Sequence, residues 1–218
     1  MQRGSGGKRA RADTMKKKRQ TKAQVEESRI LFRGRIFQVR RDRVVEPTPT
    51  GRKRRAVVRE VVEHQGSVVV LPVFSDGRVL LVRQYRHAVG DFLWELVAGG
   101  IDPGESPLQA ARRELREESG YEARRFSRLL TFYPTPGFAT EKMHLYRARG
   151  LRAGSARPES DEALEARAFT QRDLEGMIRR GTLRDGKTLV GILLHGRSAR
   201  RRHQSNTGGG SLGSARDK

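Results

Sequence analysis

The sequence predicts a layered α/β domain with a mixed sheet, preceded by a small antiparallel β extension. Three observations predict it. Apolar runs of strand length recur on both sides of the chain's centre, a glycine-rich loop near the middle opens into one acid-studded helix, and two further stretches with helical spacing follow the last strand.

In chain order, residues 29–32 and 36–40, the latter leading into 43–46, read as strands. The prolines and glycine of 47–51 mark a turn, and 55–62 returns, so that residues 28–64 form the antiparallel extension. Residues 67–74 are a continuous apolar run and predict a strand buried on both faces. Ser75-Asp76-Gly77 turns the chain into a strand at 79–86. A strand at 92–97 delivers it into the central loop. Beyond the central helix, 126–133, 143–149 and the shorter 165–169 read as strands. Leu174, Met177 and Ile178 place a helix at 171–180, and Val190, Leu193 and Leu194 place another at 189–195.

The helix after the central loop is the best marked element. Ser106 can cap it, Pro107 suits its first turn, Gln109 completes a capping box and Gly120 stops it. At about 100° per residue, Leu108, Ala111 and Leu115 gather on one stripe, while Glu114, Glu117 and Glu118 crowd the neighbouring one. Like charges at this spacing repel, so the cluster reads either as a solvated acidic face or as a site for a divalent cation. Oxygen-only ligands favour magnesium or manganese over zinc.

Composition narrows the alternatives. Cysteine is absent, which excludes disulfides, thiolate zinc sites and cysteine nucleophiles and suits a cytoplasmic location. No apolar run approaches the ~18 residues of a membrane span, and the N-terminus lacks the apolar core of a signal peptide. The net charge of +21 is concentrated in the tails: residues 1–24 carry +8 and residues 197–218 carry +5. Segments 1–27 and 198–218 are therefore expected to be disordered basic tails flanking the domain at 65–197. Nucleic acid could meet the chain through those tails, and the basic turn tip 52–55 could grip phosphates or simply be solvated.

From Gly99 the chain reads glycine, five residues, Glu105, seven residues, Arg113-Glu114-Leu115-Arg116-Glu117-Glu118-Ser119-Gly120-Tyr121. This resembles the Nudix box, G-x5-E-x7-R-E-U-x-E-E-x-G-U with U apolar, at every fixed position, with Tyr121 in the last apolar slot. The resemblance implies an α/β/α sandwich and hydrolysis of a diphosphate that joins a nucleoside to another group. Further segments are similar to the ADP-ribose pyrophosphatase branch: Val82-Arg83-Gln84-Tyr85-Arg86, Trp94-Glu95-Leu96-Val97-Ala98 and Tyr133-Pro134-Thr135-Pro136-Gly137-Phe138 with Glu141. Pro136, sixteen residues after Gly120, matches a mark of that branch, whereas Val97 departs from its usual proline.

The resemblance implies residue roles as well. Glu114 and Glu118 with the Ala98 carbonyl would bind magnesium, Glu117 would complete the cluster, Glu105 would coordinate or orient, and Arg113 would pair with a box carboxylate. The general base would come from the acidic loop after the box, with Glu162 first and Glu159 and Glu165 behind it. Arg83 and Arg86 are expected on one side of their strand, where each could meet a phosphate by a forked hydrogen bond. Arg86 matches the family's phosphate-binding position. Glu95 would hold a sugar hydroxyl or a structural arginine, and Pro136 stands with these on the substrate side. His144, between apolar residues, reads as packing rather than as a base. ADP-ribose is the expected substrate, with GDP-mannose or another sugar nucleotide as an alternative and a nucleic-acid-binding or RNA-processing role as one from a different class. Homodimerisation through the N-terminal sheet is implied by the resemblance alone.

Overall fold

The computed structural model describes residues 22–48, 55–154 and 165–207. The turn tip 52–54 and the two base candidates Glu159 and Glu162 lie outside the described residues, as do residues 1–21 and 208–218 of the expected tails.

Two sheets carry the architecture. β1 (Gln24–Arg33), β2 (Phe37–Val45) and β3 (Val57–His64) form a three-stranded sheet in that order, antiparallel throughout. The larger sheet comprises β4 (Ser67–Val73), β5 (Val79–Arg86), β6 (Asp91–Glu95), β7 (Val97–Gly100), β8 (Tyr121–Phe132), β9 (Met143–Ala153) and β10 (Glu165–Phe169), with the main path β10-β5-β4-β9-β8. β4 and β9 run parallel and the other pairs antiparallel, so the sheet is mixed as expected.

β4 is buried along its whole length and divides the core. Successive side chains of a strand point to opposite faces. Val69, Leu71 and Val73 accordingly pack toward α2 (Gln171–Arg179) and α3 (Gly186–Thr207), meeting Leu174, Met177 and Ile192. Val68 and Val70 pack toward α1 (Pro107–Ser119), meeting Ala110, Ala111 and Leu115. Helices cover both faces, which makes the α/β/α sandwich. α1 spans the expected residues because its signals are local: Ser106 accepts from the Gln109 amide, the capping box is closed, and Gly120 adopts φ 68° at the C-cap.

Four elements differ from the sequence reading. β1 starts at Gln24, inside the stretch assigned to the N-terminal tail, because its backbone pairs with β2 from Gln24↔Val45 onward and Glu26 binds Arg43. β8 begins at Tyr121 because its polar first residues pair with the far end of β9 through Tyr121↔Ala153. α3 begins at Gly186 and runs to Thr207, past the expected tail boundary at 198. Nothing between Arg197 and Thr207 is a glycine or proline, and three glycines follow.

The fourth difference matters most for the site. The run 92–97 is not one strand. It breaks at Leu96, where β6 leaves its partner β5 and β7 takes up β4. The Leu96 N–H is turned out of both ladders and donates to Thr188 Oγ1 on α3 at 2.8 Å. α3 comes this close because position 191 is glycine: a Cβ there would collide with Leu96 Cδ1. Among the described residues no helix is long and apolar enough to cross a membrane.

Candidate active site

β7 and the first turns after it hold the central loop against α1. Ala98, Gly99 and Gly100 pair with Val69, Val68 and Ser67 of β4. Ala110, Ala111 and Leu115 seat α1 on this strand pair, which leaves the Glu114, Glu117 and Glu118 edge beside β7. Glu114 lies against Gly99 so tightly that a Cβ at 99 would overlap its carboxyl group. The Ala98 N–H donates to Glu118 Oε2 at 3.2 Å. In a strand, the N–H and C=O of one residue point to the same edge, so the Ala98 carbonyl also turns away from β4 toward Glu118.

Arg113 ties the loop to the helix. Its Nη1 donates to Glu114 at 2.7 Å and to Glu117 at 3.2 Å, and its Nε and Nη2 grip Glu105 at 3.1 and 2.9 Å. Nη2 also donates to the Gly100 carbonyl at 2.9 Å. The bonds to Glu105, then the Glu114 charge, hold the guanidinium firmly protonated, and the same bonds hold the Glu105 carboxyl below the usual carboxylate range.

The three helix carboxylates share an edge, and among the described residues no three His, Cys, Asp or Glu side chains form a ready-made metal cluster. Arg113 draws Glu114 and Glu117 to itself while the β7 backbone holds Glu118. The donor chemistry nevertheless fits a hard divalent cation, since carboxylates and a backbone carbonyl on one rigid helix–strand edge are all oxygen ligands.

Arg86 and Glu95 form a second centre. Arg86 Nε and Nη2 donate to the two Glu95 oxygens at 2.8 and 2.7 Å, a forked pair. Glu95 is only 1% exposed, and Lys187 of α3 also donates to its Oε2. Burial pushes the Glu95 carboxyl up, but the Arg86 bonds and the Lys187 charge outweigh it and hold the group below its ordinary value. Arg86 is held protonated first by Glu95 and further by the charges of Glu118 and Asp185, which places it within the field of the box helix. Of the two roles open for Glu95, the structure supplies the arginine; both carboxylate oxygens are engaged by it.

Arg83 does not share this face, contrary to expectation. Residues three apart in a strand point to opposite sides. Arg83 lies over the Phe92 ring, 5.1 Å from its centroid, with Glu165 3.7 Å away. Glu165 is thereby placed on β10, on the Arg83 side. Pro136 stands in the β8–β9 loop. That loop is stitched to the smaller sheet, since the Val62 N–H donates to the Phe138 carbonyl and the Thr140 N–H to the Val62 carbonyl. His144 bonds Thr131 Oγ1 at 3.1 Å, and burial, with Arg128 and Lys142 nearby, depresses its pKa. It packs, as expected.

Lys187, Asp185 and Thr188 were not legible as site residues. Asp185 caps α3, accepting from the Thr188 N–H at 3.0 Å and from its hydroxyl at 2.5 Å. One local signal existed. A lysine in the first turn of a helix opposes the macrodipole, so it marks a partner elsewhere. A groove of about 690 Å³ lies at the other end of β4, lined by Phe74, Arg78, Arg149 and Gln171 among others, and none of the candidate residues lines it.

Comparison with known proteins shows the family and the fold. The model of the NUDIX domain family matches residues 55–190. The chain is 33% identical to a methanol dehydrogenase activator of Bacillus methanolicus and 32% identical to an ADP-ribose pyrophosphatase of Bacillus subtilis. Each match covers 74% of this chain and 86% of the relative. It is 43% identical to an ADP-ribose pyrophosphatase of Mycobacterium tuberculosis over 61% of this chain and 62% of that one. A crystal structure of an ADP compounds hydrolase superposes with a TM-score of 0.70 at 23% identity, covering 85% of this chain and 98% of the other.

Proposed function

The chain belongs to the NUDIX family, and from that premise we propose that it hydrolyses ADP-ribose to AMP and ribose 5-phosphate with magnesium, manganese being able to substitute. The observation that carries this reading is the position of Arg86. It is fixed by Glu95 with its Nη1 edge outside the fork, and it feels the charge of Glu118 on the box helix. On this reading Arg86 and the oxygen-rich edge serve one ligand, as cleavage of a diphosphate requires. Relatives named ADP-ribose pyrophosphatase support the choice of substrate.

When bound, a divalent cation would shield the diphosphate and lower the pKa of the attacking water. Glu114, Glu117 and Glu118 with the Ala98 carbonyl would hold it, and Glu105 through Arg113 would keep Glu114 in place. Arg86 would take a phosphoryl oxygen by a charge-assisted hydrogen bond. Glu162 is the proposed base, receiving the proton of the water that attacks the adenosyl phosphorus as the bond to the bridging oxygen breaks. Ribose 5-phosphate leaves on that oxygen.

The same reading includes a homodimer formed by the smaller sheet and a cytoplasmic location. Val25, Leu31, Phe32, Ile36, Phe37 and Val58 of that sheet and its β1–β2 turn are exposed, an unusual load of apolar surface for a solvated sheet. Light scattering of the wild type and of Ile36→Asp tests it.

A product-resolved screen of ADP-ribose, GDP-mannose, NADH and nucleoside triphosphates with magnesium tests the function. ADP-ribose should be preferred, and in ¹⁸O water the label should enter AMP. Preference for GDP-mannose would change the substrate, and label confined to ribose 5-phosphate would reverse the attacked phosphorus.

A further inference from the structure

We infer that Lys187 is a positioning residue for phosphate recognition: through Glu95 it sets the plane of the Arg86 guanidinium and keeps that guanidinium's charge available to a ligand. The inference rests on the assignment of Arg86 to the substrate's diphosphate.

The geometry separates the two cations by task. The Arg86 side chain is 38% exposed and the Lys187 side chain 10%, while Glu95 between them is 2% exposed. Arg86 therefore faces the open space and Lys187 stands behind the carboxylate. The fork consumes the Nε and Nη2 edge of Arg86 and orients the remaining Nη1 edge outward. Glu95 Oε2 is shared, receiving Arg86 Nη2 from one side and Lys187 Nζ from the other.

Charge gives the reason for the second cation. A lone carboxylate clamped to an arginine fixes its plane but cancels its charge, which would defeat the purpose of an anion-binding arginine. With Lys187 on the same carboxylate, Arg86, Glu95, Lys187 and Asp185 sum to zero, whereas without the lysine the two carboxylates would leave the cluster net negative. Asp185 is the second carboxylate on Lys187: its Oδ1 lies 3.0 Å from Lys187 Nζ, its Oδ2 accepts from Thr188, and its charge also reaches Arg86. The lysine is placed where a cation opposes the α3 dipole, so its position is not explained by helix stability. Its chain position follows from the cap. Asp185 fixes the start of α3, and the same turn places Thr188 on Leu96 and Lys187 on Glu95.

A simple ion pair tying α3 to the sheet would predict lost stability only. Positioning predicts more, and a double-mutant cycle on ADP binding by calorimetry separates the two. Lys187→Met should weaken ADP binding roughly tenfold in the wild-type background and have no further effect in Arg86→Met, because the pathway through Arg86 is already gone. KM for ADP-ribose should rise by more than kcat falls, and Lys187→Arg should restore affinity to within a few fold. Should Lys187→Met not fold, Lys187→Gln carries the same expectation. Equal losses in both backgrounds, or unchanged ADP affinity in a variant with a normal melting temperature, overturn the inference. A wild type that binds ADP yet turns over no sugar nucleotide overturns the proposed function alone, and the cycle still decides on Lys187. A wild type that binds no ADP overturns both.

Discussion

Gly99 on β7 and Glu114 on α1 are in such close contact that the glycine's missing Cβ is the space the carboxyl group occupies. Its neighbour is different: a Cβ at Gly100 would meet nothing within 4 Å. The two adjacent glycines are therefore unequal, although the sequence shows only a pair.

Gly99→Ala should displace Glu114 from the strand and lower kcat on the order of 10²-fold, about as much as removing a metal ligand, with a stability loss of about 1–3 kcal/mol from overpacking. Gly100→Ala should be tolerated. Steady-state rates at saturating magnesium and melting curves of the two variants check this, and equal behaviour would contradict the contact.

Glu114→Gln and Glu118→Gln should each reduce kcat by on the order of 10² or more while the protein stays folded, since each keeps its shape and loses only a charge, Glu114 at a buried position against Gly99 and Glu118 at a half-buried one beside β7. Rates close to wild type in either variant would remove that residue from the metal site. The decisive measurement is kcat across a magnesium titration.

Thr188→Val should destabilise the domain by about 1–3 kcal/mol, because the buried Leu96 N–H loses its acceptor and no strand replaces it. Thr188→Ser should recover most of the loss. Thermal melts of both variants decide, and a valine variant with a wild-type melting temperature would show that the amide finds another partner.

His144 gives the pH dependence a sign. Burial, with Arg128 and Lys142 beside it, lowers its folded-state pKa below the unfolded value of about 6.5. Its contribution to stability is therefore complete above about pH 6.5 and is lost as pH falls from there through the folded-state pKa. Unfolding titrations should show His144→Gln flatter than wild type across that window, and parallel curves would place the responsible group elsewhere.

What could be read in advance was whatever depends on neighbours in sequence. The cap at Ser106, the stop at Gly120 and the fully apolar β4 are local signals, and the helix, the strand and the edge of Glu114, Glu117 and Glu118 followed from them. The break at Leu96 was not legible, because 92–97 carries no turn residue, only Glu95 interrupts its apolar run, and the group that ends the strand is a threonine 92 residues away. Arg83 and Arg86 are a different case: three apart in one strand, they point to opposite faces by the strand period alone, so their separation was legible and the expected shared side misapplied that period. Lys187 was hidden because its partner Glu95 is remote in sequence, whereas Arg113 was found because the carboxylates it binds lie within one turn or one loop of it.

The bond between Leu96 and Thr188 also orders events in time. A chain made from its N-terminus exposes the whole glycine-rich loop and α1 long before α3 emerges, yet the strand that aims the loop lacks its final anchor until Thr188 is available. During synthesis the motif-bearing half therefore precedes its own alignment, and α3, the last of the described helices, supplies the anchor.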